Sequence, residues 1–151
     1  PANVGANNSS GKAKPTAKSS DSIIVGTDCS GLEVPLLALQ NLGVKCHHAF
    51  SSDNDPKIKK TVQINFQPKN FYDDVKQRET ESMEQVDLYM SGFPCQPFSM
   101  AGYRQGLKDE KGRGTIVNYV LEHIDKKRPK IFVLENVKGF SVLDDFLFMF
   151  C

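Results

Sequence analysis

The stretch SIIVGTDCSGLEVPLLALQNLG, residues 22–43, decides the fold. Ser22-Ile23-Ile24-Val25-Gly26-Thr27 is a nearly unbroken apolar run, the pattern of a strand covered on both faces. A short polar turn follows, and then a helix from about Glu33 to Leu42, with Pro35 tolerated in its first turn and Gly43 ending it. The same alternation repeats downstream. Cys46 to Ser51 reads as a second strand, and Pro56 to Phe66 as a second helix opened by its proline. Val86 to Ser91 is another strand. Thr115 to Lys126 has helical apolar spacing at Ile116, Val117, Val120, Leu121 and Ile124, and Ile131 to Leu134 returns to strand. Strands alternating with helices predict an α/β fold with a mostly parallel sheet flanked by helices. Residues 142–151 are apolar and read as the start of a further helix.

With 151 residues the chain suits one domain, large enough to bury a core without disulfides or metal. Residues 1–21 hold one large aliphatic side chain, Val4, among Ala, Asn, Ser, Gly and Lys, so they read as a disordered polar tail. The globular part is expected over 22–151. Of the 19 basic and 18 acidic side chains, Lys12, Lys14 and Lys18 fall in the tail, which leaves the remainder slightly acidic. A domain that grips duplex DNA unaided usually carries a basic excess, and none is visible here. The four cysteines are far apart with no Cys-x-x-Cys pair, which argues for reduced thiols in an intracellular protein and against a zinc site. No apolar run approaches a membrane span, so a soluble protein is expected.

Ligands of open α/β sheets bind at the carboxyl ends of the strands, and polar clusters fall at such ends here. The first is Asp28-Cys29-Ser30-Gly31-Leu32-Glu33, where Gly31 permits close backbone approach to a ligand. In the second, Ser52-Asp53-Asn54-Asp55, Asp53 is well placed to accept hydrogen bonds from two ribose hydroxyls, while Asp55 caps the helix opening at Pro56. Asp73-Asp74-Val75 carries no signal beyond a surface turn. The sharpest element is Ser91-Gly92-Phe93-Pro94-Cys95-Gln96-Pro97-Phe98-Ser99. Its prolines fix their own φ and push Phe93 and Gln96 out of the helical region, so Cys95 is held in one direction, as a nucleophile requires. Finally, the apolar strand Ile131 to Leu134 ends in Glu135-Asn136-Val137, which aims a carboxylate at the same cleft.

Gly-Phe-Pro-Cys-Gln-Pro-Phe-Ser at 92–99 and Glu-Asn-Val at 135–137 resemble the motifs of the DNA cytosine-5 methyltransferase family. Their order, the intervening Arg113-Gly114-Thr115 and the Asp-Cys-Ser-Gly turn also match, so the resemblance covers about residues 22–143. It implies a Rossmann-like fold dependent on S-adenosylmethionine, with the target cytosine flipped out of duplex DNA. Carried onto this chain, it makes Cys95 the nucleophile and Glu135 the group that binds the cytosine ring, with Pro94 and Asn136 holding the geometry. For the cofactor it implies the turn Asp28, Cys29, Ser30 and Gly31, the ribose acid Asp53 with Asn54 beside it, the adenine-contacting Asp74 and Val75, and an apolar wall at Ile116. The first motif departs from the family's Phe-x-Gly-x-Gly, with Asp28-Cys29-Ser30-Gly31-Leu32-Glu33 in its place, and Asn54 stands where an aromatic or apolar neighbour of the adenine is often found. A nuclear location would follow in a eukaryote.

Nothing after Glu-Asn-Val resembles the family's later motifs, including the target-recognition portion. The expectation is therefore a truncated catalytic domain that works with a complementary chain or within a longer product. Other readings stay open: a catalytically silent homologue that binds cofactor or a partner, an enzyme acting on tRNA, or an unrelated thiol enzyme using His47, His48 or His123 as base.

Overall fold

In a computed structural model, the residues described are 22–96 and 113–137. The expected tail over 1–21, the helix start at 142–151, and Pro97, Phe98 and Ser99 lie outside them. The elements in chain order are β1 (Ile23–Asp28), α1 (Val34–Asn41), β2 (Cys46–Ser52), α2 (Pro56–Asn65), β3 (Asn70–Tyr72), β4 (Leu88–Ser91), α3 (Ile116–Lys127) and β5 (Ile131–Leu134). A short 3-10 turn, Thr80–Ser82, lies between β3 and β4. The strands form one sheet in the order β3-β2-β1-β4-β5, and every pairing is parallel.

This order puts the first strand of the sequence in the middle. The chain builds outward through β2 and β3, then returns to build the other flank through β4 and β5. Between β1 and β4 the direction of winding reverses, and there the strand ends splay apart to open a crevice. Successive residues of a strand face opposite sides, and the core divides accordingly. Ile24, Phe50 and Tyr89 pack with Ile116, Val117 and Val120 of α3 on one face. Val25 and Leu88 pack with Leu36 of α1 on the other.

The helix boundaries follow from local chemistry. At the end of α1, Gly43 has φ 71°. Its N–H bonds the Gln40 carbonyl, and that of Val44 bonds the Leu39 carbonyl, both at 3.0 Å. This is the paired closure that favours glycine after a helix. Asp55 caps α2 as its sequence implies, accepting from the Lys57 N–H at 2.8 Å, with Pro56 in the first turn.

Two differences from the sequence reading have physical reasons. β4 starts at Leu88 instead of Val86, because Asp87 lends its carboxylate to the Ile24 N–H at 2.8 Å. β3 was not foreseen: it is three residues long, begins with Asn70, and exists through pairing with Phe50–Ser52. Such a segment has no periodicity of its own to read. The apolar strand β5 lies at the sheet edge, and Ile131, Phe132 and Val133 are exposed.

Gly26 is required by packing. A Cβ at this position would clash with the edge of the Phe50 ring, which packs against β1. Gly26→Ala should therefore cost about 1–3 kcal/mol through overpacking. The check is a urea midpoint, and an unchanged value would mean that the ring has room to move aside.

His123 of α3 is fully buried, stacked on Tyr89 with ring centroids 4.4 Å apart. Neither ring nitrogen has a hydrogen-bond partner among the described residues. Burial pushes the imidazole down from 6.5 to about 4. The unfolded chain consequently binds the extra proton first, and folding stability falls as pH drops from 6.5 towards 4. Urea melts across that window should show the loss, and His123→Phe should flatten this part of the profile.

Candidate functional site

The carboxyl end of β1 is held from both faces of the sheet. Thr27 and Asp28 are consecutive, so their side chains point in opposite directions, as do their β2 neighbours Ser51 and Ser52. On one face, the buried Glu33 carboxylate accepts from Thr27 Oγ1 at 2.6 Å and from the Ser51 hydroxyl, with His48 Nε2 at 3.4 Å. On the other, Asp28 accepts from Ser52 Oγ at 2.7 Å and from the Tyr89 hydroxyl, and it is ion-paired with Arg78. The Arg78 guanidinium also lies 5.7 Å from the centre of the Phe50 ring, within cation–π range.

Between these anchors the chain makes a tight turn. Cys29, Gly31 and Glu33 have φ values of 50°, 50° and 56°. A left-handed backbone costs a non-glycine residue about 1–2 kcal/mol, and fixed partners offset that cost here. Ser30 N–H bonds the Ser52 carbonyl at 2.9 Å, and Gly31 N–H bonds Asp53 Oδ2 at 3.0 Å. Glu33 thus keeps the backbone of a glycine while adding a buried carboxylate. The Cys29 thiol is pushed up to about 12, chiefly by burial and then by Asp28 and Asp53, so it stays protonated.

A cavity of about 300 Å³ opens over the ends of β1, β2, β3 and β4. Ser52, Asp53 and Asn54 form one side, Asp74 and Val75 a second, and Gly92 and Pro94 a third. Cys29 and Ile116 also reach it. The Asp53 carboxylate is oriented by Gly31 N–H and by Asp55 N–H, the latter at 3.0 Å to Oδ1. Asp74 accepts from Lys76 N–H at 2.9 Å, while Val75 is buried in the core. A second hollow lies beyond the Cys29 turn, bordered by Ser30, Gly31, Gly92 and Glu135.

The loop after β4 and the end of β5 lie side by side. Phe93 is buried and anchors the loop, and Cys95 is a free, half-buried thiol. Asn136 Nδ2 donates to the Phe93 carbonyl at 2.9 Å, and Glu135 N–H donates to the Ser91 carbonyl at 2.9 Å. A Cβ on Gly92 would come within 3.3 Å of Glu135 Oε2, so the glycine makes room for this carboxylate.

The structure thus gathers Cys29, Asp53, Asn54, Asp74, Val75, Pro94 and Ile116 around one cavity, with Gly31 bonded to its rim, Ser30 and Glu135 on the neighbouring hollow, and Asn136 bracing the Cys95 loop. Asp28 also borders the neighbouring hollow, while its carboxylate is buried against Arg78, Ser52 and Tyr89. The sequence reading missed Arg78, which sits 50 residues from Asp28 in a charged stretch that looks like surface. Of the candidate bases, His123 is in the core and His48 is engaged with Ser51 and Glu33. Among the described residues no cluster of three His, Cys, Asp or Glu could hold a metal ion, and no helix is long and apolar enough to cross a membrane.

Comparisons with known proteins bear on the family and the fold. Type II methyltransferase M.HpaII of Haemophilus parainfluenzae is 46% identical over 105 residues, covering 68% of this chain and 28% of its own length. Type II methyltransferase M.Bsp6I of Bacillus sp. (strain RFL6) is 39% identical over 90 residues, covering 60% of this chain and 28% of its own length. The chain therefore spans little more than a quarter of these relatives. Among solved structures, S. pombe Dnmt2 methyltransferase matches 80% of this chain and 36% of its own, with a TM-score of 0.59 at 17% identity. A Spodoptera frugiperda DNMT2 mutant matches 85% and 39%, with a TM-score of 0.61 at 20% identity. These two establish the fold as that of the methyltransferases, a Rossmann-like parallel sheet flanked by helices. The model of the C-5 cytosine-specific DNA methylases matches residues 29–145, a span that takes in both the cavity and the Cys95 loop, and the chain belongs to that family.

Proposed function

We propose that this chain is the cofactor and nucleophile portion of a DNA cytosine-5 methyltransferase, completed by a longer product or a complementary chain that supplies target recognition. The observation that carries this reading is the pair of bonds from Glu135 N–H to Ser91 and from Asn136 to Phe93. They brace the thiol loop against a carboxylate strand at the mouth of a cavity with a nucleoside-like set of partners.

The cavity suits S-adenosylmethionine in size and chemistry. Its volume falls at the lower end of the range for small-molecule sites. Asp53, already oriented by two backbone donors, would accept from the ribose hydroxyls. Asp74 and Val75 would meet the adenine edge and face, with Ile116 as apolar wall. Cys29, Ser30 and Gly31 would bring backbone close to the amino-acid end, and Asn54 would flank the base. When bound, the cofactor supplies an electrophilic methyl group on a sulfonium.

The protein's own chemistry would start at Cys95. Its thiolate forms a bond to C6 of a cytosine flipped out of the duplex, which pushes electron density to C5 and makes that carbon nucleophilic. Glu135 would hydrogen-bond the exocyclic amine and protonated N3, stabilising the charge that the attack drives into the ring. Pro94 and Asn136 hold the thiol and carboxylate in register. After methylation, a base removes the C5 proton, the C5–C6 double bond re-forms, and the thiolate leaves from C6.

Isothermal titration with S-adenosylhomocysteine tests the first half, with saturable binding expected. Asp53→Ala should weaken it at least about tenfold, the cost of leaving hydrogen-bonding hydroxyls unpaired. Undiminished affinity would remove Asp53 from the site.

The second half is tested by trapping on 5-fluorocytosine DNA, using the full protein that contains these residues. Fluorine at C5 blocks the elimination, so a covalent adduct is expected from the parent and none from Cys95→Ala. An adduct formed by the variant would overturn the nucleophile assignment, and one formed on RNA alone would move the substrate to RNA.

A further inference from the structure

Among the described residues, Arg78 with Asp28 is the arginine or lysine ion pair in which both side chains are buried, 1% and 0% exposed. The other such pairs lie towards the surface. Charges in that position have a large desolvation cost, and apolar residues of the same shape commonly serve stability as well or better. Stability alone is therefore a poor reason for the pair. Its location gives a better one.

Arg78 follows by three residues the Asp74–Val75 wall of the cavity. That wall is a compact turn, with Lys76 N–H bonded to Asp74 Oδ1 at 2.9 Å and Gln77 N–H to the Asp74 carbonyl at 3.1 Å. On its amino-terminal side it hangs from β3, a three-residue strand paired with β2. On its carboxyl-terminal side Arg78 is ion-paired with Asp28 at the end of the central strand. Asp28 in turn accepts from Ser52, which lines the opposite wall. One carboxylate thus links the segment that follows one wall to a residue of the other.

We propose that Arg78 is a positioning residue: through Asp28 it ties the turn over residues 74–77 to the end of β1 and so sets the width of the cavity. The inference rests on reading that cavity as the cofactor site. Arg78 touches no ligand itself. Its effect reaches the ligand through the placement of Asp74 and Val75.

Arg78 cannot be removed alone without stranding a buried carboxylate, so the informative variant neutralises both members. In Asp28→Asn/Arg78→Met, the asparagine oxygen keeps an acceptor for Ser52 and its amide N–H faces the Tyr89 hydroxyl, which can accept, and the methionine fills the space beside Phe50. Val62→Ala serves as the comparison: it truncates a fully buried side chain of α2 that does not line the cavity. All three forms of the 151-residue chain are studied at a temperature where circular dichroism shows them folded.

Amide hydrogen exchange at residues 74–77 should quicken by about tenfold or more in the double variant and stay near parental rates in Val62→Ala, because local opening is governed by local tethers. S-adenosylhomocysteine affinity should fall by about tenfold in the double variant and by less than about twofold in Val62→Ala, whatever their melting temperatures. Unchanged exchange at 74–77 overturns the tether. Faster exchange with unchanged affinity overturns its consequence for the cavity. A parent that binds no S-adenosylhomocysteine refutes the cofactor reading instead, and the exchange rates then judge the tether.

Discussion

A carboxylate without water must be surrounded by donors, and the Asp28 carboxylate at the end of β1 has three: Arg78, Tyr89 and Ser52. They come from the segment after β3, from β4 and from β2. The charge therefore acts as a junction on which three strand ends converge. Two unit charges about 4 Å apart attract by roughly 4 kcal/mol at an effective dielectric constant near 20, while each ion costs several kcal/mol to dehydrate. Dehydrating both ions therefore costs more than their attraction returns, and the hydrogen bonds around the carboxylate offset the difference. What the pair adds is direction, since each of the three donors comes from a different segment. Nε and Nη2 of Arg78 stay buried without a hydrogen-bond partner among the described residues, as befits a group retained for geometry.

The opposite face repeats the device with two hydroxyls and an imidazole. Glu33 occupies a left-handed conformation that glycine would take without strain, and it offsets the strain by reaching back to Thr27, Ser51 and His48. A glycine here would be easier on the backbone but would leave two strand-end hydroxyls and an imidazole without their shared acceptor. The first turn of the site is thus fixed by side chains as well as by backbone.

Much of this architecture was legible in the residues. The apolar runs of β1, β2, β4 and β5 and the spacing of α3 carry their own periodicity, and Pro35, Gly43 and Pro56 mark helix ends by local sterics alone. What could not be read depends on partners distant in sequence. β3 is a strand because β2 is beside it, and Asp73-Asp74-Val75 looked like surface until that pairing carried it to the cavity. The rigid loop around Cys95 and the strand end at Glu135 stood out because prolines and an apolar run ending in a carboxylate are local signals. Asp28 was noticed for its turn, but its partner Arg78 lies in a run of charges, and only the folded chain separates a buried arginine from a solvated one. Asp53 and Asp55 show both outcomes within three residues: Asp55 is a helix cap, and Asp53 faces the cavity.

The strand order also has a consequence in time. β1 pairs with β2 about twenty residues later, but its other edge waits for β4, with Val25 opposite Leu88. At translation speeds of roughly 5–20 residues per second, that edge stays bare for on the order of several seconds as the chain emerges. During that interval a very apolar strand, with its N–H and carbonyl groups unsatisfied on one side, is open to pairing with other chains. Closure of two distant segments is also the slow step in parallel sheets. Synthesis of this domain should accordingly be most vulnerable to aggregation between completion of β2 and arrival of β4, when chaperone shielding of the nascent strand would matter most.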